Sequence, residues 1–218
     1  MRLFVRGLLA AALSLTALAC SAGDTASAYT EGKHYKEVRN VQAPTDPKRI
    51  EVDEFFWYGC PHCFAFDPTI EAWAKTKPAD VDFVRVPNSL GRPQGVIHAK
   101  AYYTAEALGV LDQMHHPLFN TIQNDHIPLS DEAQLATVFN KYTGVLPDVF
   151  SSTFNGFSVD AKTRKAEQMA RDFGITSVPT VVVGGKYVTS GSMAGSFQEA
   201  TKVIDFLIEK VRKERAAN

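Results

Sequence analysis

The sequence predicts an α/β layer domain interrupted by an all-helical insertion, and three observations carry that prediction. An apolar strand from Ile50 to Trp57 stops at Gly59 and passes straight into a helix start at Cys60-Pro61. A helical pattern then runs from about Gly95 to Gly174. Strand character returns at Thr180, turns at Gly184-Gly185 and closes with an amphipathic helix. At 218 residues the chain has room for one large domain, or for a compact domain with a sizeable insertion. A net charge of −1 argues against a nucleic acid or anionic membrane recognised through bulk electrostatics.

At the N-terminus, Arg2 and Arg6 precede an apolar run from Leu8 to Ala19, the order of a secretory signal. The run is too short to span a bilayer, so the expected destination is the periplasm. Two processing routes are open. Ala26-Ser27-Ala28 forms an A-x-A site that would remove residues 1–28. Leu18-Ala19-Cys20 resembles a bacterial lipobox, which would remove residues 1–19 and anchor the chain through a lipidated Cys20. Lipidation would also dispose of a spare thiol in an oxidising compartment.

Residues 29–49 read as a polar lead-in with a short strand at Tyr35-Lys36-Glu37-Val38 and a loop punctuated by Pro44 and Pro47. In the next strand Ile50, Val52 and Phe56 share one face while Phe55 and Trp57 occupy the other, as expected of a central strand. Val81 to Val86 forms a further strand closed by Pro87. His98 to Leu108 is helical and ends at Gly109. Ser130-Asp131 caps a helix toward Tyr142, with Gln134 completing a box with Asp131. Val159, Ala166, Met169, Ala170 and Phe173 line one face of a helix that Gly174 stops. Thr180 to Val183 and Lys186 to Thr189 flank the diglycine turn, and Phe197 to Val211 supplies the last amphipathic helix.

The chemistry sits in Gly59-Cys60-Pro61-His62-Cys63. Two cysteines one helical turn apart lie within disulfide reach. Cys60, at the helix start, faces unsatisfied amide groups and the positive end of the dipole, which favour its thiolate. His62 can add a hydrogen bond or positive charge, and Cys63 lies one turn inside, suited to resolve a mixed disulfide. Other readings are less favoured. A structural cystine this short restrains the unfolded chain little. Haem attachment needs histidine where Phe64 stands, and a zinc site needs further ligands. Thiol–disulfide exchange without a cofactor is therefore the expected activity. A reductase or isomerase is the alternative within that chemistry, and a metal- or peptide-holding module the alternative outside it.

Phe55-Phe56-Trp57-Tyr58-Gly59-Cys60-Pro61-His62-Cys63 resembles the active-site segment of the DsbA family of thioredoxin-fold disulfide oxidases. Gly174-Ile175-Thr176-Ser177-Val178-Pro179-Thr180 is similar to that family's proline loop, and residues 93–171 to its inserted helical domain. The resemblance implies a thioredoxin-like domain of residues 29–92 and 172–218. It also implies donation of disulfides to exported polypeptides by a monomer that a DsbB-like membrane quinone reductase reoxidises. X-Pro bonds are cis only about 5–6% of the time, so local sequence predicts a trans Pro179. The resemblance instead implies a cis bond facing the cysteines, with the Val178 backbone pairing to substrate.

Glu54 is in phase with Ile50, Val52 and Phe56, on a face expected to be core. A carboxylate there would lie beneath the cysteines as a proton acceptor with a raised pKa. Asp67 follows Cys63 by four residues on the same helix face. Both match acidic positions of the family. His115, His116 and His126 fit no metal-ligand spacing, so surface or loop placement is expected for all three and no metal site is assigned. Tyr102-Tyr103 reads as helix core.

Overall fold

A computed structural model describes residues 28–217; Cys20 and residues 1–27 of the predicted export segment lie outside the described residues. The elements follow in the order β1 (Lys36–Glu37), β2 (Ile50–Phe56), α1 (Pro61–Thr76), β3 (Val81–Pro87), α2 (Pro93–Ala107), α3 (Leu111–Gln123) and α4 (Glu132–Thr143). Then come α5 (Pro147–Phe154), α6 (Phe157–Phe173), β4 (Thr180–Val183), β5 (Tyr187–Thr189), α7 (Gly191–Ala194) and α8 (Phe197–Ala216). Among the described residues the strands form one sheet in the order β1-β5-β4-β2-β3. β3 runs parallel to β2 and the remaining pairs are antiparallel. This is the thioredoxin-like α/β arrangement, with α2 to α6 inserted between β3 and β4. No described helix is long and apolar enough to cross a membrane.

β2 is paired on both sides and buried on both faces. Ile50 and Val52 pack with Phe66, Ile70, Val203, Ile204 and Leu207 beneath α1 and α8. Phe55 packs on the opposite face with Val86, Val182, Ala166, Ala170 and Phe173 of α6. A further core inside the helical segment joins Met114, Leu118, Phe119, Leu135, Phe139 and Phe150, and it reaches back to Phe56, Tyr58 and Cys63. The inserted helices are thus packed directly onto the end of β2 where the cysteine turn begins.

Turn chemistry follows the sequence. Gly184 and Gly185 both take positive φ, 62° and 66°, as a two-residue hairpin of this twist requires. Gly174 closes α6 at φ 73°. Several boundaries and one cap partner differ. α2 begins at Pro93, not His98, because proline suits the first helical turn. β5 begins at Tyr187, because Lys186 is spent closing the turn to the Val183 carbonyl. Asp131 caps α4 by accepting from the Gln134 amide, but the Gln134 side chain answers to the Ser130 N–H and not to that of Asp131.

Leu207 is fully buried between α8 and the sheet, whereas Phe157 is 82% exposed. Leu207→Ala should lower the unfolding free energy by about 2–5 kcal/mol, and Phe157→Ala should change it by no more than about 0.5 kcal/mol. Urea denaturation reads both, and comparable losses would contradict this placement of the core.

Candidate active site

Sheet register assembles the site. β2 ends at Phe56 and the chain turns through Trp57, Tyr58 and Gly59 into α1. A side chain at Gly59 would meet the Trp57 ring at 2.3–2.8 Å, so only glycine lets the indole lie against this turn. The indole N–H donates to His98 Nδ1 at 2.9 Å, and His98 Nε2 donates to the Pro128 carbonyl at 3.0 Å. Burial pushes His98 below its ordinary pKa, which keeps the ring neutral in that tautomer. β4 is antiparallel to β2, with Thr180 opposite Phe55, so the loop ahead of β4 arrives where β2 ends. That register brings Val178 to Cys60 across 118 residues: the Cys60 Sγ lies 3.6 Å from the Val178 carbonyl oxygen. The Val178–Pro179 bond is cis, against the trans bond that local statistics predict.

Cys60 is the N-cap of α1, with Pro61 opening the helix and His62 exposed beside it. Both cysteines are free thiols, Cys60 half-buried and Cys63 buried. A hydrogen bond from the Cys63 thiol is the largest influence lowering Cys60 to about 6. Burial opposes it; the backbone amides of Cys63 and His62 and the His62 charge reinforce it. Cys63 moves the other way: burial first, then its bond to Cys60 and the nearby Glu54, push its thiol well above the ordinary value. One turn of helix therefore holds an accessible, readily ionised sulfur over a sheltered, proton-holding one.

Beneath them lies a buried polar chain. β2 and β3 are parallel with Glu54 opposite Arg85, so the two side chains share a face, and α1 lays Asp67 over it. Arg85 donates to Asp67 Oδ1 at 3.0 Å, while its Nε lies 3.5 Å from Glu54 Oε2 without forming a hydrogen bond. His115 Nε2 also donates to Asp67 Oδ1, at 2.9 Å, and the Tyr58 hydroxyl donates to His115 Nδ1 at 2.8 Å. One guanidinium thus faces two carboxyls and serves Asp67 better. Asp67 is lowered, because its hydrogen bond from His115 and the nearby Arg85 charge outweigh burial. Burial wins at Glu54 and raises it to about 8, so that carboxyl carries a proton at neutral pH.

His115 corrects the surface or loop placement expected from sequence. It is buried on α3, where a hydroxyl and a carboxylate satisfy both ring nitrogens. His126 is exposed at positive φ, in the expected loop. His116 is exposed on α3, and its two ring nitrogens lie 3.4 Å from Asp67 and 3.3 Å from Glu71. These three groups bring potential ligand atoms within 4.8 Å of one another, but the imidazole already spans both carboxylates. Sequence reasoning missed Arg85, whose pairing depends on strand register, and Tyr58, whose hydroxyl finds its partner 57 residues away. It also missed Asp53, a second buried acid next to Glu54 on the other face of β2.

Two measurements test this electrostatic account. In Cys63→Ala the thiolate absorbance of Cys60 should titrate higher than in wild type, toward the ordinary thiol value of about 8.5. An unmoved midpoint would leave the helix terminus alone responsible. The folded chain also keeps a proton on Glu54 between pH 4.5 and about 8 that the unfolded chain releases, so stability falls as pH rises through that window. Glu54→Gln removes the penalty. It should gain on the order of 1 kcal/mol or more over wild type at pH 8 and little at pH 5; an equal gain at both would contradict a buried, raised carboxyl.

The comparisons agree with this geometry. Residues 85–200 match the family model of the DSBA-like thioredoxin domain. The thiol:disulfide interchange protein DsbA of Pseudomonas aeruginosa is 40% identical over 217 residues, covering all of this chain and 99% of that protein. The Burkholderia cepacia protein of the same name is 36% identical over 206 residues, covering 93% and 95% of the two chains. The crystal structure of Pseudomonas aeruginosa DsbA superposes with a TM-score of 0.80 at 41% identity, over 88% of this chain and 97% of that one. Xylella fastidiosa DsbA gives 0.76 at 32% identity, over 84% and 97%. The full-length matches extend through the cysteine turn, which precedes the segment matched by the family model. The chain belongs to the DsbA family of thioredoxin-fold thiol–disulfide oxidoreductases.

Proposed function

We propose that the chain donates disulfides to exported polypeptides in the periplasm, working as a monomer through Cys60 and Cys63. The observation that supports this most is the opposed pair of thiols, Cys60 lowered to about 6 and half-exposed, Cys63 raised and buried. In the oxidised enzyme a substrate thiolate attacks the Cys60 sulfur. The Cys60–Cys63 bond breaks, and Cys63 departs as a thiolate that takes up a proton. Glu54, protonated at neutral pH, is the nearby acid for that step and the acceptor when the pair is reoxidised. A second substrate thiolate then attacks the substrate sulfur of the mixed disulfide and expels Cys60 as its thiolate. The substrate leaves with a disulfide, and the enzyme keeps two electrons as a dithiol.

Every factor that lowers Cys60 makes it a better leaving group and favours the reduced enzyme over its disulfide. Each 1.4 kcal/mol of that preference raises the potential by about 30 mV. His62 and the Pro61 helix start are assigned to this tuning. Val178 and Pro179 are assigned to substrate docking, with the Val178 backbone pairing to an extended segment beside Cys60. Residues 93–171 act as the inserted helical domain, and a DsbB-like membrane quinone reductase restores the disulfide. The export segment is removed during export, either as residues 1–28 or as residues 1–19 with lipidation at Cys20.

The test is stoichiometric oxidation of an unfolded peptide carrying two thiols. Oxidised wild type should convert it within the mixing time of the assay. Cys63→Ala, first activated at Cys60 as a mixed disulfide with glutathione, should pass that bond to a companion peptide carrying a single thiol and accumulate a Cys60–peptide adduct in acid-quenched mass spectra, because no second thiol is present to expel Cys60. Absence of both, at rates no faster than air oxidation, would contradict the proposal.

A further inference from the structure

The face of the sheet opposite α1 carries its own buried acid. Side chains alternate along β2, so Asp53 points away from Glu54 and toward α6, beside Phe55. Asp53 is 3% exposed, and among the described residues no hydrogen bond or close ion pair reaches its carboxyl. It lines a cavity of about 390 Å³ whose apolar wall includes Val84, Val86, Tyr103, Ala166, Met169 and Phe173. The proposed exchange reaction uses neither this cavity nor Asp53.

An acid buried this deeply, at the edge of an open cavity and without a donor, is costly. Desolvation accordingly raises Asp53 to about 7, with Glu51 adding to the rise and Lys165 opposing it. The charged groups around the cavity favour a positive guest. Glu51 of β2 and Asp172 of α6 are acidic, and Glu106 of α2 is already paired with Lys162 of α6 at 2.6 Å. Lys165 of α6 is the exposed cation whose charge reaches Asp53. An anion would meet two carboxylates on β2, and a neutral apolar guest would leave Asp53 without a donor. An ammonium on an apolar stem satisfies both the carboxyl and the walls, and a few hundred Å³ is the size of a small-molecule site.

We propose that this cavity binds a small organic cation, a primary ammonium on a short apolar or aromatic stem, with Asp53 as its counter-ion.

Benzylamine is the probe and benzyl alcohol its neutral comparator, each titrated into the purified protein at pH 8 and followed by amide NMR shifts. Benzylamine should saturate shifts at Val84, Val86 and Ala166 and bind at least roughly tenfold tighter than the alcohol, the ratio expected of a charge-assisted hydrogen bond. Asp53→Asn should make the two equal. Lys165→Gln removes a competing cation and should tighten benzylamine binding. In wild type the amine should bind more weakly at pH 6 than at pH 8, because Asp53 takes up its own proton. Glu51, Tyr103, Glu106, Lys162, Lys165 and Asp172 are the other titratable groups facing the cavity, and Asp53→Asn separates their contribution from that of Asp53. No preference for the amine in either wild type or Lys165→Gln would overturn the proposal, as would a preference that survives Asp53→Asn. A capped lysine peptide binding more tightly than benzylamine would overturn the small-molecule assignment.

Discussion

The site depends on one junction: a strand buried on both faces ends directly against the first turn of a helix. β2 cannot slide or tilt without unpacking Ile50 and Val52 on one side and Phe55 on the other. The N-terminus of α1 is therefore fixed in space, and with it the amides that face Cys60. The same strand sets the register that brings Arg85 beside Glu54 and the Val178 loop beside the cysteines. Each sulfur's proton affinity follows from this placement, with the shallow thiol lowered and the deep one raised.

The helical insertion takes part in that electrostatics as well as in packing. Its core runs continuously into Phe56, Tyr58 and Cys63. Through His115 it also supplies a hydrogen bond that, with Arg85, helps keep Asp67 ionised on α1. Asp67 in turn engages Arg85 and leaves Glu54 the weaker partner of the guanidinium. A histidine on α3 thereby bears on a carboxyl beneath Cys63, without touching either cysteine.

What the sequence made legible was local. Cys60, Pro61, His62 and Cys63 are contiguous, and the glycine and proline around them declare a strand-to-helix turn. Glu54 could be read because period-two alternation places it among apolar residues. Arg85 could not, since its role exists only once β3 lies parallel to β2 in a particular register. His115 was assigned to the surface or a loop because its partners, Tyr58 and Asp67, lie 57 and 48 residues away. Asp53 illustrates the same limit: alternation places it with Phe55, but only the packing of α6 shows how deeply that face is buried. Helices α3 and α5 merged into one helical block in the sequence, with Pro117 inside the first and Pro147 opening the second.

The central claim is that folding makes the reduced pair unusually favourable by holding Cys60 ready to ionise. The most direct measurement is the equilibrium of the Cys60–Cys63 pair against glutathione, read by alkylation and mass after acid quench. The account predicts that a small excess of reduced over oxidised glutathione suffices to open the disulfide, and that opening becomes easier as pH rises from 5 through about 6, where Cys60 ionises. A pair that stays closed under strongly reducing glutathione, as an inert structural cystine would, contradicts it.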